Sequence, residues 1–281
     1  MERIKDAIEK AKTQREQSDG AARASAVRLT AVKPQNTGDR GPTSELDTQV
    51  QYRQTPVIQL DPEHLSSQRI VAHEKMHPVS WAFDLLRTQV LQKMDENGWR
   101  TLAVTSPTME SGKTVVAINL AIGIAQQTNR TSLLIDFDLR RPRVASSLGL
   151  QRDVSLNQVL AGNARIEDAM VNPGIPRFVV LPTQRPIPSS AEVLGSSRVA
   201  ALMSELREHY SDRVVVVDLP PVLAADDVLA VLPRVDCVLM VVGNGVSTKK
   251  EIEESMSRLS KFNLLGVVLN KDEAPVNNAY Y

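Results

Sequence analysis

The sequence predicts an α/β fold in which a mostly parallel β-sheet carries helices on both faces. The first supporting observation is an alternation of short apolar stretches with longer helical patterns, clearest at residues 214–217, 224–232, 236–242, 247–262 and 264–270. The second is that the short stretches are continuously apolar, as in strands buried on both faces. Strands joined through helices form right-handed crossovers and lie parallel to one another.

The composition limits the class of protein. Of the 281 residues, 33 are Lys or Arg and 33 are Asp or Glu, so the formal net charge is zero and the basic footprint of a nucleic-acid-binding protein is absent. Cys237 is the only cysteine, which excludes a disulfide within the chain and fits a reducing compartment. Without an apolar signal region or an apolar run of ~18 residues, we expect a soluble, cytoplasmic protein.

The chain divides by composition into five predicted segments. Residues 1–18 carry a thin apolar stripe at helical spacing, which predicts an amphipathic helix, either solvated or docked on a partner. Residues 19–50 have no periodicity and predict a disordered linker. We expect residues 51–77 to form a polar lead-in, residues 78–273 the folded domain, and residues 274–281 a mobile tail.

The elements of the folded domain follow in order. A strong helical pattern covers residues 80–95, with Ser80 as a plausible N-cap. Between this helix and the alternating last third we expect a strand at 102–104, a helix at 115–125, a strand at 132–135, one or two short helices within 152–172, a strand at 177–181 and a helix at 191–210.

A strand, a loop and a helix frame residues 105–114, which read Thr-Ser-Pro-Thr-Met-Glu-Ser-Gly-Lys-Thr. This is the arrangement of a phosphate-binding loop, in which backbone N–H groups at a helix N-terminus point at the anion. Lys113 would reach the outer phosphates and the Thr114 hydroxyl would bind Mg²⁺. Pro107 stands where the usual pattern has a glycine, so only Gly112 supplies a positive φ freely. The alternative is a helix start with an exposed lysine.

Carboxylates follow two of the predicted strands. Asp136 and Asp138 come directly after the strand at 132–135, and Asp218 follows the run of four valines at 214–217. Ligands of open parallel sheets bind beyond the carboxyl ends of the strands, so these side chains and the phosphate loop are predicted to converge. Such carboxylates hold Mg²⁺ or accept a proton, whereas the alternative is a pair of charged turns.

A zinc-protease pattern, H-E-x-x-H, occurs at residues 73–77. It binds metal only on a continuous helix that turns both histidines, His73 and His77, to one side. Pro78 follows at once and disfavours helical backbone in the residue before it. We therefore interpret this segment as a polar connection into the next helix.

Together the motifs resemble those of one protein family. The phosphate loop, residues 136–142 (Asp-Phe-Asp-Leu-Arg-Arg-Pro) and residues 217–221 (Val-Asp-Leu-Pro-Pro) look like the corresponding motifs of the bacterial tyrosine kinases. These kinases are cytoplasmic partners of chain-length regulators in capsule and exopolysaccharide synthesis. The similarity runs from about Pro78 to Asn270. It implies a P-loop NTPase fold and an ATP-dependent tyrosine autokinase that regulates polysaccharide polymerisation and export.

The resemblance also implies roles for individual residues, with ATP and Mg²⁺ as cofactors. Asp136 would be a metal ligand or the base that accepts the tyrosine proton, and Thr114, Asp138 and Asp218 would serve the metal. Lys113, Asp136, Asp138 and Asp218 would form the catalytic set. The nucleotide-binding set would be Thr108, Met109, Glu110, Ser111, Gly112, Lys113, Thr114, Val115, Arg140 and Asn270.

Further expectations from the resemblance concern the tail and the partners. Family members phosphorylate C-terminal tyrosines between subunits, and this chain offers Tyr280 and Tyr281. The implied partners are a membrane-embedded polysaccharide co-polymerase and other copies of the chain, which would place the protein peripherally at the inner membrane. Of the family's Glu-x-x-Arg-x-x-Arg subunit-contact helix, only Arg87 is present, since the other positions are Trp81 and Asp84.

Two alternative functions stay open on the sequence. One is a catalytically reduced, nucleotide-binding regulatory subunit, which the short tyrosine tail and the altered helix motif favour. The other is an ATPase that positions cell components. Those ATPases place a second lysine early in the loop, where this chain has Thr108, and a membrane helix at the C-terminus.

Overall fold

The structure, a computed structural model, describes residues 55–272 apart from 128–129, 209–211 and 225. The predicted helix at 1–18, the linker at 19–50 and the tail with Tyr280 and Tyr281 lie outside these residues. None of the helices in the described part of the chain has the length and apolar character needed to cross a membrane.

The described residues contain one six-stranded sheet in which every neighbouring pair of strands is parallel. The order is β3-β2-β4-β1-β5-β6, so the strand that leads into the phosphate loop, β1, lies inside the sheet between β4 and β5. The predicted parallel sheet is confirmed. Its strands are β1 Thr101–Thr105, β2 Thr131–Asp136, β3 Phe178–Leu181, β4 Arg213–Asp218, β5 Cys237–Gly243 and β6 Leu264–Asn270.

Helices connect the strands and cover the sheet. A short 3₁₀ turn, Leu232–Arg234, also precedes β5. The α-helices of the described residues are α1 Pro62–Ser67, α2 Ser80–Asn97, α3 Lys113–Ala125, α4 Val144–Leu148, α5 Leu156–Ala161, α6 Ile166–Ala169, α7 Ser190–Gly195, α8 Ser197–Glu208, α9 Asp227–Val231 and α10 Lys249–Leu259.

Two of the helix predictions need correction. The helix predicted at 191–210 is divided into α7 and α8, because Ser196 between them is extended (φ −67°, ψ 159°). Ser80 is the first residue of α2 and is not its N-cap, since the cap position is Val79. The Ser80 hydroxyl instead donates to the carbonyl oxygen of His77 at 2.8 Å, which ties the helix to the preceding turn.

Each face of the sheet has its own apolar core. Successive side chains of β1 point to opposite faces of the sheet, so Leu102 and Val104 belong to one core and Ala103 to the other. Helices α1 to α4 supply the first core, and helices α5 to α10 the second. The helix that follows the phosphate loop, α3, is buried along almost its whole length, which anchors the loop rigidly.

The lead-in segment packs onto α3 through one buried amide. The Asn119 side-chain oxygen accepts from the N–H groups of Val71 (2.8 Å) and Ala72 (2.9 Å), and its nitrogen donates to the Arg69 carbonyl oxygen (3.0 Å). Ile70 is fully buried beside it. Residues 69–72 are therefore fastened to the helix that carries the loop.

The zinc-protease pattern does not form a continuous helix. Residues 71–79 form a series of turns, and α2 begins only at Ser80. The His77 ring nitrogen Nδ1 accepts from the Val79 N–H at 3.2 Å, and the His73 ring lies 3.4 Å from the Glu74 carboxylate. The backbone thus agrees with the predicted polar connection.

Candidate phosphate-binding site

Strands β1, β2 and β4 end at the same edge of the sheet, and the predicted site residues lie at or just after these strand ends. In the register of the sheet, Asp136 on β2 lies opposite Asp218 on β4, and Asp218 lies opposite Val104 on β1. Because the strands are parallel, the loop after β1 and the carboxylates after β2 and β4 meet beyond their carboxyl ends. The predicted convergence is confirmed.

The loop after β1 presents unpaired backbone donors. Gly112 has φ +85° and ψ +21°, and α3 starts at the next residue, Lys113. Within the described residues, the N–H groups of residues 110–115 donate no hydrogen bond, whereas the Val116 N–H already donates to the Gly112 carbonyl oxygen. Successive free N–H groups at the start of a helix with 13 residues form an anion-binding concavity.

Serine hydroxyls and one strand-end amide hold the shape of the loop. Ser106 Oγ and Ser111 Oγ both donate to the Thr108 carbonyl oxygen, at 2.7 and 3.1 Å. Asn270 Nδ2, at the end of β6, donates to the Ser111 carbonyl oxygen at 2.9 Å. The Asn270 side chain therefore supports the loop by binding the loop's backbone. The predicted contact between Asn270 and a nucleotide stays a prediction.

We expect Gly112→Ala to weaken nucleotide binding by about tenfold or more, because the new side chain would displace the Asn270 amide that holds the loop. A Cβ atom there would overlap Asn270 Nδ2, and a φ of +85° strains an L-residue by roughly 1–2 kcal/mol. Calorimetric titration with a non-hydrolysable ATP analogue measures the change.

The matched control is Gly98→Ala, which has the same left-handed backbone (φ +68°) at the end of α2 but nothing within 4 Å of its Cβ. Gly98→Ala should lower the melting temperature without changing affinity. Adding Asn270→Ala to Gly112→Ala should restore part of the binding. Equal affinity of Gly112→Ala and wild type would contradict this account of the loop.

Lys113 is the cation at the centre of the site. Its Nζ lies 2.8 Å from Asp138 Oδ2 and 3.8 Å from Asp218 Oδ1, and its side chain is 11% exposed. Although burial lowers it, the pKa of Lys113 is raised above its ordinary value because Asp218 and Asp138 stabilise the charged form. This buried, paired lysine argues against the alternative of a helix start with an exposed lysine.

Asp218 and Thr114 form the part of the site that fits Mg²⁺. Thr114 Oγ1 donates to Asp218 Oδ2 at 2.6 Å, while the buried Asp218 Oδ1 makes no hydrogen bond in the described residues. Burial raises the pKa of Asp218 to about 6, and Lys113 and Thr114 oppose the rise. A hydroxyl and an unsatisfied buried carboxylate oxygen are the hard oxygen ligands that Mg²⁺ prefers.

Asp136 has a different environment from the other two carboxylates. Its Oδ1 accepts from the Asp138 N–H (3.1 Å), and its Oδ2 accepts from the N–H groups of Arg143 (3.1 Å) and Val144 (3.0 Å). Burial raises the pKa of Asp136 well above its ordinary value, and the nearby Asp218 charge adds to the rise. The carboxylate thereby shapes the segment that carries Asp138.

A cavity of about 500 Å³ opens between the loop and two other segments. Its walls carry many charged side chains, among them four cations: Lys113, Arg140, Arg141 and Arg143. One wall is the phosphate loop, one is the segment from Asp138 to Ser147, and one follows Asp218. The lining residues are Ser106, Met109, Glu110, Gly112, Lys113, Thr114, Val115, Asp138, Arg140, Arg141, Arg143, Ser147, Pro220, Pro221 and Ala224.

Most of the predicted nucleotide-binding residues line this cavity. Thr108 and Ser111 lie in the loop but do not line it, and Asn270 lies behind the loop. The predicted site residues did not include seven that line the cavity: Ser106, Arg141, Arg143, Ser147, Pro220, Pro221 and Ala224. The density of arginines between 140 and 143 was the signal available for Arg143, whereas Ser147 and Ala224 carry no signal of their own.

Comparisons with known proteins agree with this geometry. Residues 102–279 match the family described as the CobQ/CobB/MinD/ParA nucleotide binding domain. The putative tyrosine-protein kinase CapB of Staphylococcus aureus is 27% identical over 215 residues, which make up 75% of this chain and 93% of CapB. The tyrosine-protein kinase etk of Escherichia coli (strain K12) is 33% identical over 197 residues, 69% of this chain and 27% of etk.

Solved structures give the same result. The kinase domain of the Escherichia coli tyrosine kinase ETK superposes with a TM-score of 0.67 at 29% sequence identity, covering 80% of this chain and 85% of that domain. The chain thus spans nearly all of CapB but only about a quarter of the length of etk.

Proposed function

We propose that this chain, which belongs to the CobQ/CobB/MinD/ParA nucleotide-binding family and within it to the bacterial tyrosine kinases, transfers the terminal phosphoryl group of ATP to protein tyrosines. The observation that carries the proposal is the cluster of Lys113, Thr114, Asp138 and Asp218 beside unpaired loop N–H groups. Phosphoryl transfer needs positioning and charge stabilisation more than covalent chemistry, and this cluster supplies both.

The residues divide the work by their chemistry. The N–H groups of residues 110–115 and the Lys113 ammonium group would bind phosphate oxygens. Thr114, Asp138 and Asp218 would hold Mg²⁺, which neutralises charge on the phosphates when it is bound. Asp136, already bound by three backbone N–H groups, would act mainly by holding Asp138 in place. We propose this role in place of the two that the resemblance implies for Asp136, a metal ligand or the base that accepts the tyrosine proton.

The biological setting is part of the proposal. The kinase would regulate the polymerisation and export of capsule or exopolysaccharide, and it would sit at the inner membrane through a polysaccharide co-polymerase. The support is the resemblance to the tyrosine-protein kinases CapB and etk. Self-association between copies of the chain would bring a tail to a neighbouring site.

We expect Tyr280→Phe/Tyr281→Phe to remove most autophosphorylation while leaving ATP hydrolysis unchanged. Both residues lie beyond Asn270, the last residue of β6, and neither belongs to the phosphate-binding cluster. Phosphotyrosine immunoblotting and phosphate release, measured on the same samples, separate the two activities. Tyr52→Phe is the control for a tyrosine outside the tail.

Two outcomes would change the proposal. Full phosphotyrosine in the double variant would move the acceptor to another tyrosine. Hydrolysis without any phosphotyrosine in the wild type would favour the regulatory, catalytically reduced subunit.

A further inference from the structure

Arg140 is held at the cavity wall by two residues from distant parts of the sequence. Its Nε donates to Ser190 Oγ (3.1 Å) on α7 and to Asp227 Oδ1 (3.1 Å) on α9. Its Nη2 lies 2.9 Å from the same Asp227 oxygen. These contacts use one edge of the guanidinium group, whose side chain is 51% exposed and lines the cavity. No contact among the described residues uses its other N–H donors, which are available to a ligand.

Asp227 is a fully buried carboxylate. It has no exposed surface, and its Oδ2 makes no hydrogen bond among the described residues. An ionised carboxylate in such a place needs a cation, and Arg140 is the ion-pair partner that the structure gives it within residues 55–272. The pair therefore fixes the guanidinium group in one position.

The segment that carries Asp227 is also fastened to the phosphate loop. The Val222 N–H donates to the Ser106 carbonyl oxygen at 2.8 Å, and the Leu223 N–H donates to the Pro107 carbonyl oxygen at 3.2 Å. The same short stretch of chain thus contacts the loop at one end and Arg140 at the other.

We propose that Asp227 is a positioning residue that aims Arg140 at the outermost phosphate of a nucleotide held by the loop. The inference rests on the proposed nucleotide-binding function. The loop N–H groups would bind the inner phosphates, while Arg140 approaches from the wall formed by residues 138–147. A guanidinium that is already immobile loses little side-chain entropy when it binds phosphate, and two Arg–phosphate hydrogen bonds are strong and directional.

The test compares ATP-analogue and ADP binding by calorimetry in wild type, Asp227→Asn, Arg140→Ala and the double variant. Asp227→Asn keeps the shape of the side chain but removes its charge. We expect it to weaken binding of the ATP analogue by about tenfold and binding of ADP much less. The double variant should lose no more than Arg140→Ala alone, since Asp227 acts through Arg140. Ser190→Ala, which removes one contact, should give a smaller change in the same direction.

Asp168→Asn is the matched control, because Asp168 forms an ion pair with Arg165 on the surface, 3.1 Å apart, and neither residue lines the cavity. It should change neither affinity. A lower melting temperature for Asp227→Asn with an unchanged ratio of ATP-analogue to ADP affinity would assign Asp227 a purely structural role. Additive losses in the double variant would overturn the proposal as well. Failure of the nucleotide-binding function looks different, since wild type would then bind neither nucleotide.

Discussion

Lys113→Met is expected to weaken ATP binding by about 10- to 100-fold and to lower nucleotide turnover more strongly than that. Among the described residues, Lys113 is the cation that pairs with Asp138 and Asp218. Each charge-assisted hydrogen bond from a lysine to a phosphate oxygen contributes about 1.5–3 kcal/mol to binding. Turnover should fall further, by about 10²–10³-fold, because the lysine also stabilises charge that develops during transfer. Phosphate release and calorimetric titration measure the two effects separately.

The variant needs a control for folding, because Lys113 is largely buried. Removing it leaves the Asp138 and Asp218 carboxylates without their nearest cation, and breaking a buried pair destabilises a protein. Lys113→Arg keeps the charge and should keep the melting temperature close to that of wild type. Unchanged ATP affinity in a folded Lys113→Met protein would refute the phosphate-loop interpretation.

Asp218→Asn should lower Mg²⁺-dependent turnover by about a hundredfold or more and at the same time stabilise the nucleotide-free protein at pH 7.5. The loss follows from removing a carboxylate that fits the metal, together with its contact to Thr114. The gain follows from removing a buried charge in a site where Asp136, Asp138 and Asp218 lie close together.

The sign of the pH dependence follows from the raised pKa. The folded-state pKa of Asp218 is about 6, above the value of about 3.9 for an unfolded chain, so ionisation opposes folding. This group's contribution is fully favourable below about pH 4, declines between pH 4 and 6, and is lost above pH 6. The difference is worth up to about 3 kcal/mol.

Thermal unfolding in the presence of a chelator, at pH 5 and pH 7.5, measures that difference. Asp218→Asn should raise the melting temperature clearly at pH 7.5 and by about half as much at pH 5, midway through the range in which the contribution declines. Asp236→Asn is a control, because that carboxylate accepts hydrogen bonds from Thr101 at the opposite ends of the strands. Equal stabilisation by Asp218→Asn at both pH values would show that the charge of Asp218 has no part in it.

The sheet and the convergence of the motifs followed from local patterns. The valines of β4 and the apolar run of β2 are buried on both faces, and short, continuously apolar runs of this length indicate such strands. Once the strands are parallel, the loop before Lys113 and the aspartates after β2 and β4 must share one edge. Predicting that these residues meet therefore required no knowledge of contacts between residues far apart in the sequence.

The contacts that complete the site could not be predicted in this way. Arg140 and Asp227 are 87 positions apart, and neither residue's neighbours indicate the pair. Asn119 was visible as a polar residue in an apolar helix, yet its attachment to residues 71 and 72 depends on the fold of the lead-in. The break at Ser196 depends on one extended residue, which helix propensity does not reveal.

The most direct test of kinase activity is transfer of labelled phosphate from ATP to tyrosine in the purified chain with Mg²⁺. Wild type should become labelled on tyrosine in a reaction that requires Mg²⁺, and Lys113→Met should not. Phosphoamino-acid analysis identifies the labelled side chain, and a mixture of Lys113→Met with the Tyr280→Phe/Tyr281→Phe variant tests transfer between copies. A wild-type protein that binds ATP and Mg²⁺ but places no label on tyrosine would contradict the proposed function.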